Sequence, residues 1–199
     1  MRRVRILRTH ACLVMIAQLL AAAQLTGCAT SDAMAPREYR DVASASIVTV
    51  AGEGTVFSHP RPDYAVHAQD YITIVPVEVA RDGRHALYFY SYLWSTVDLP
   101  ADSGVTDTLQ LVADGREIPL APVSGSLQSV GRGEAPLEPP ARDALPLLAP
   151  TTREVLQLVM HARDVSMVAT RNGHEERYDL WTDGRAAFGA LVLGSADGP

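Results

Sequence analysis

The chain has 199 residues, 47% apolar and 20% charged, proportions that fit a packed domain and exclude a disordered chain. Its 17 basic residues are outnumbered by 23 acids, giving a net charge of −6. No basic block is present to neutralise phosphates, so a nucleic-acid partner is not expected, and 14 Gly, 13 Pro and 2 Cys exclude collagenous and disulfide-scaffold classes. Every base is Arg, which fits the coding bias of a GC-rich genome. At the start, Arg2, Arg3, Arg5 and Arg8 form a charged region without acids, and Ala11 to Leu25 follows as an apolar run interrupted only by Gln18 and Gln24. That run is about 15 residues long, short of the roughly 20 that span a bilayer as a helix. Residues 1–27 therefore read as a secretory signal peptide.

The segment ends in Leu25-Thr26-Gly27-Cys28, which resembles the lipobox of bacterial lipoproteins. The resemblance covers residues 1–28 alone; no family is recognised for the rest of the chain. It implies that Cys28 carries a diacylglyceryl group, that the signal is cut before it, and that the new amino terminus is acylated, palmitate being a typical chain. Each buried methylene contributes about 0.8 kcal/mol, and two chains already anchor stably. Ala29 stands where inner-membrane lipoproteins of enteric bacteria carry Asp, so the resemblance points to the outer membrane, facing the periplasm. Cys12 would leave with the signal, and the mature chain would then hold neither a free thiol nor a disulfide. Losing the four signal Arg also makes the mature body more acidic, so acyl chains rather than charge would hold it to the membrane.

Residues 28–44 are rich in Ala, Ser, Asp and Pro without apolar periodicity, and read as a lipidated tether. Residues 45–120 carry mostly β signals. Ser46 to Val50 is a short β-branched run ended by Gly52 and Gly54. Tyr71, Thr73, Val75, Val77 and Val79 alternate on one face of the next strand, where Pro76 removes a ladder donor and suggests an edge or a bulge. Asp82-Gly83 suits the positive φ of a primed turn, His85 to Thr96 returns as a long strand, and Thr108 to Leu120 forms a second hairpin around Asp114-Gly115. Residues 121–150 form a Pro/Gly-rich arm: Pro119 to Pro150 holds seven of the prolines. It reads as a linker or as an arm laid over the sheet and pinned by Leu145, Leu147 and Leu148. In residues 151–199, Thr151-Thr152-Arg153-Glu154 resembles a capping box ahead of a helix with Val155, Leu158, Val159 and Ala162 on one face. Val165 to Thr170, Asn172-Gly173 and Arg177 to Trp181 predict a hairpin, and Arg185 to Leu193 a second helix. The expected fold class is α+β: an antiparallel sheet or small sandwich over about 45–120, followed by an α-β-β-α unit over about 151–193 packed on the same core.

The most unusual stretch is Leu87 to Trp94. Alternation places Tyr88, Tyr90, Tyr92 and Trp94 on one face and Leu87, Phe89 and Leu93 on the other, so both faces are apolar enough to be covered, as in a central strand. Two readings stay open for the four rings: core packing, or a binding face that stacks sugars or grips a protein. His59 and His67, eight residues apart with Asp63 and Asp70 near, lack the convergent ligand spacing that zinc needs, and no metal or cofactor is expected. His85, His161 and His174 read as solvated. Ser103-Gly104 and Ser124-Gly125-Ser126 lack a nucleophile elbow, and Gly131-Arg132-Gly133 is too short for a phosphate loop, so no catalytic residue is assigned. Asp98, Asp102, Asp107, Glu175 and Glu176 read as turn charges. The expected function is a membrane-anchored envelope lipoprotein acting as a non-catalytic binding or assembly module. Its partner would be an envelope protein or the cell wall, with Pro139 and Pro140 on a mobile arm. The alternative is an envelope hydrolase acting on peptidoglycan or another glycan, using carboxylates or the His59/His67 pair.

Overall fold

A computed structural model describes residues 35–42, 44–97, 106–123 and 136–193. The signal segment, the lipobox with Cys28, and most of the tether lie outside these residues, as do the Ser103-Gly104, Ser124 to Ser126 and Gly131 to Gly133 segments. Ten strands are present among the described residues: β1 (Arg37–Asp41), β2 (Ser46–Val50), β3 (Thr55–Pro60), β4 (Gln69–Arg81), β5 (Arg84–Ser95), β6 (Thr108–Ala113), β7 (Arg116–Pro119), β8 (Leu145–Thr151), β9 (Val165–Arg171) and β10 (His174–Thr182). Helix α1 (Arg153–His161) lies between β8 and β9, and a 3-10 turn (Arg185–Ala187) leads into α2 (Phe188–Leu193). Every strand pairing is antiparallel.

Eight strands run in the order β3-β4-β5-β8 and β7-β6-β9-β10, and β10 pairs back onto β3. At the remaining seam, the chain leaving β7 crosses over. Leu120 N–H donates to Leu109 O and Val123 N–H donates to Leu148 O, both at 2.8 Å. The eight strands thus curl into a barrel, and among the described residues the Val123–Leu148 bond bridges its last seam, where no strand ladder closes it. Eight strands leave an interior just wide enough for side chains to fill. Phe57, Ile72, Phe89, Leu111, Ile118, Ala149, Met167 and Tyr178, one from each barrel strand, belong to a single core cluster, joined by Leu156 and Val159 of α1 and by Phe188 and Val192 of α2.

A second core lies on the other face of the long β4–β5 hairpin. Val75, Val77 and Val79 there meet Tyr90 and Tyr92, covered by Val48 and Val50 of β2, by Ala187 and Leu191, and by Leu137. This is why β5 is apolar on both faces. The same layout answers the proline in β4. Pro76 O accepts from Ala51 N at 3.1 Å, on the side where β3 ends and β2 begins. The missing N–H of Pro76 points to the same side, into the break between two strands, so β4 is central rather than an edge. The Asp82-Gly83, Asp114-Gly115 and Asn172-Gly173 turns all have positive φ at both residues, as primed hairpin turns require.

The α+β expectation is corrected by the pairing. The hairpin β9–β10 follows α1 and precedes α2, but it is not a unit beside the sheet: β9 pairs with β6 and β10 with β3, in the middle of one barrel. The fold is sheet-dominated, with two short helices packed against its core. A hairpin leaves two unpaired outer edges, and local sequence does not say which distant strands satisfy them. Three further segments are strands where none was named, Thr55–Pro60 among them, which pairs with β4 and β10. Arg37–Asp41, read as tether, pairs with β2, and Leu145–Thr151, read as arm, pairs with β5. The prolines of β8 explain how it escaped notice. Leu148 O accepts Val123 N–H from the side opposite β5, and Pro146 and Pro150 share its parity. Their missing donors therefore face the outer edge, where proline is tolerated.

Candidate functional site

The structure divides the aromatic row of β5. Tyr90 and Tyr92 are buried, 1% and 3% exposed, with rings edge-to-face at 5.1 Å. Tyr90 OH donates to Tyr92 OH at 3.1 Å, and Tyr92 OH donates to Leu137 O at 2.8 Å. These two rings pack among the buried side chains of the second core. Tyr88 and Trp94, at either end, are half-buried.

At the Trp94 end a surface assembles that the linear sequence did not indicate. The cross-strand partner of Trp94 is Tyr71, and their rings stack at 4.2 Å with 15° between planes. The indole Nε1 of Trp94 donates to Thr73 Oγ1 at 3.1 Å, fixing the ring from below. Trp181 of β10 reaches over β3 and meets Tyr71 edge-on at 6.2 Å. It is 64% exposed. Beside Tyr71 on β3 stands Ser58, and beside Ser58 on β10 stands Asp179, whose carboxylate accepts from Arg177 Nε at 3.3 Å. The site is thus a rigid aromatic platform with a polar rim. One exposed ring, Trp181, set beside the half-buried Tyr71 and Trp94 on a β scaffold, offers contact area at low conformational-entropy cost.

Tyr71 was placed correctly on the alternating face of β4, and Trp181 on its strand, but their proximity depends on β3 lying between them. The register shift between Leu180 and Thr182, a β-bulge beside Trp181, marks the place.

Inside the barrel, at the end away from the helices, four charges meet: Asp70 is buried, and Arg61, Arg171 and Glu176 are half-buried around it. Asp70, 1% exposed, lies 3.3 Å from Arg61 and 3.1 Å from Arg171, and Glu176 lies 2.6 Å from Arg61. Tyr178 OH accepts from Arg171 at 3.0 Å, and burial pushes its phenol pKa well up. Burial opposes the Arg61 charge, yet Asp70 and Glu176 outweigh it and hold its pKa above the ordinary arginine value. Two cations and two anions balance here, although Asp70 Oδ1 and Arg171 Nε are left without a hydrogen-bond partner among the described residues.

The histidines expected to be of interest are dispersed. His59 Nδ1 is bonded to Arg177 O at 2.7 Å, with its ring 5.3 Å from Tyr178, and His67 is exposed. His85 pairs with Glu78 at 3.0 Å, and His161 and His174 are exposed. Among the described residues no three His, Cys, Asp or Glu side chains converge on a metal position. Pro139 and Pro140 are exposed, and Asp98 and Asp102 lie outside the described residues.

Comparison with known proteins adds no relative: no family model, no curated protein and no solved structure matches the chain.

Proposed function

We propose that the chain is an envelope lipoprotein, anchored through acyl groups on Cys28 in the outer membrane and facing the periplasm, that works as a non-catalytic binding or assembly module. The platform of Tyr71, Trp94 and Trp181 is its binding face. The observation that carries the reading is the exposed Trp181 set against a stacked Tyr71–Trp94 pair at a fixed, barrel-borne position. A partner seated on a ring this exposed removes apolar surface from water, which favours binding there. The lipobox-like Leu25 to Cys28 segment supports the anchor. The partner is an envelope protein or the cell wall.

The test uses full-length protein carrying Cys28→Ser, mixed with envelopes from cells lacking the gene. Sedimentation with the envelopes is expected, and Trp181→Ala in the same background is expected to abolish it. Prior digestion of the envelopes with protease or with a cell-wall hydrolase identifies the partner class. Equal sedimentation of the two proteins would overturn the assignment of the binding face. For the anchor, palmitate labelling is expected in cells and is lost in Cys28→Ser; an unlabelled wild-type chain contradicts the lipoprotein reading.

A further inference from the structure

The strand ladder ends at β1, which pairs with β2 alone among the described residues. The register decides which backbone groups β1 leaves at its outer edge. Ala51 N–H donates to Pro76 O of β4, so Ile47 and Thr49 of β2 turn their backbone groups to β4, and Ser46, Val48 and Val50 turn theirs to β1. The partners of those three, Asp41, Tyr39 and Arg37, face β2 in return, which leaves the N–H and C=O of Glu38 and Arg40 on the outer edge. The side chains of Glu38 and Arg40 are exposed, on the face opposite Tyr39, which packs against the second core.

We infer that a second copy of this chain docks on this edge, β1 against β1, antiparallel about a two-fold axis through Tyr39, so that one sheet runs through both copies. The order of charges selects the occupant. With Tyr39 opposite Tyr39, Glu38 of each copy lies directly across from Arg40 of the other, and each such pair exchanges both backbone hydrogen bonds. Two opposite-charge pairs then form on the exposed face, and the outward backbone groups of Glu38 and Arg40 are met in both copies. Other antiparallel registers fail. One centred on Glu38 or on Arg40 sets like charge against like, and one centred between two residues sets outward backbone groups against inward ones. Pro36, next in the outward-facing series, has no N–H and ends the ladder. Arg37 and Asp41 also come opposite, but Asp41 is buried and accepts from Ser44, so the selection rests on Glu38 and Arg40. Charges that guard an edge strand repel a copy of the same edge, whereas these attract one. Because the contact is isologous, it closes at two copies.

The test uses two full-length copies with different tags at the carboxyl end, produced together in the same cells and extracted in mild detergent. Capture of one tag is expected to bring the other with it. Glu38→Arg in both copies sets like charges opposite at two places, and is expected to lower co-capture at least about tenfold; Arg40→Glu in both copies does the same. One copy carrying Glu38→Arg and the other Arg40→Glu sets opposite charges across the edge again, and co-capture is expected to return. That rescue separates a lost contact from a lost fold. No co-capture of the wild-type copies, equal co-capture in every combination, or failure of the mixed pair to recover would each overturn the inference. Trp181→Ala lies on β10 rather than β1 and is expected to leave co-capture unchanged, so failure here and failure of the platform are told apart.

Discussion

Arg185 is the side chain whose loss the fold should feel most clearly. It sits in the turn between β10 and α2, 9% exposed, and its guanidinium is used on both sides. NH1 donates to Val159 O at 3.2 Å and to Ala162 O at 2.7 Å, carbonyls at the end of α1 that the helix itself leaves unmet. Nε and NH2 donate to the two oxygens of Asp183 at 2.8 and 2.6 Å. A hydrogen bond to a charged group contributes about 1.5–3 kcal/mol, and a cation at a helix C-terminus adds up to about 2 kcal/mol when partly buried. The Asp183 side is half in water and is discounted for screening. Arg185→Met keeps most of the apolar stem but strands both carbonyls, so a loss of about 3 kcal/mol is expected. That corresponds to a melting temperature roughly 6–12 °C lower for a domain of this size. Arg185→Lys reaches one carbonyl but not both partners, and should recover about 1 kcal/mol. Urea unfolding followed by circular dichroism measures both variants. If Arg185→Met shifts stability by less than about 1 kcal/mol, the guanidinium is not the cap that holds α1 to the barrel.

Asp183 follows from the same pair: the hydrogen bond from Arg185 holds its carboxyl below the usual aspartate range, against the opposing effect of burial. Its stabilisation is therefore complete above the unfolded pKa of about 3.9 and lost as pH falls through the lower folded value. The urea midpoints of wild type and Asp183→Asn should differ at pH 7 and converge below about pH 3; a constant gap from pH 7 to pH 2 contradicts the pairing. At Gly184 an added Cβ would run into the backbone carbonyl oxygen of Gly54, so Gly184→Ala should cost about 1–3 kcal/mol in thermal unfolding, because backbone must move. Tyr90→Ala should cost about 3–5 kcal/mol by emptying the second core. Tyr92→Phe should cost about 1–3 kcal/mol by stranding Leu137 O, whereas Trp181→Ala should stay within about 0.5 kcal/mol of wild type.

What was legible in the sequence was local. The Asp-Gly and Asn-Gly turns mark three hairpins because few residues accept positive φ, and the alternation of β4 and β5 marks their faces because one pleat period covers them. The apolar residues on both faces of β5 pointed to a covered strand, and two cores meet there. What was not legible was long-range. Closure of the barrel rests on β10 finding β3 and on the chain after β7 reaching β8, pairings that carry no local mark. β8 was hidden by Pro146 and Pro150, whose missing donors matter only once it is known which edge they face. The binding surface was half visible for the same reason. Trp94 was on the expected face, Tyr90 and Tyr92 share that face but are covered by a segment around Leu137, and Trp181 joined only through the curvature that brings β10 beside β3.

The central claim is that the Trp181 platform meets a partner in the envelope, and photo-crosslinking in living cells tests it most directly. A photoreactive amino acid is placed at Trp181 in one strain and, as a control, at Val66, which is 88% exposed. Amine-reactive reagents have no purchase, because the chain contains no Lys. A reproducible adduct from position 181 that is absent from position 66 is the expected result, and mass spectrometry then names the partner. Equal labelling from both positions, or none from 181 in folded protein, would contradict the account.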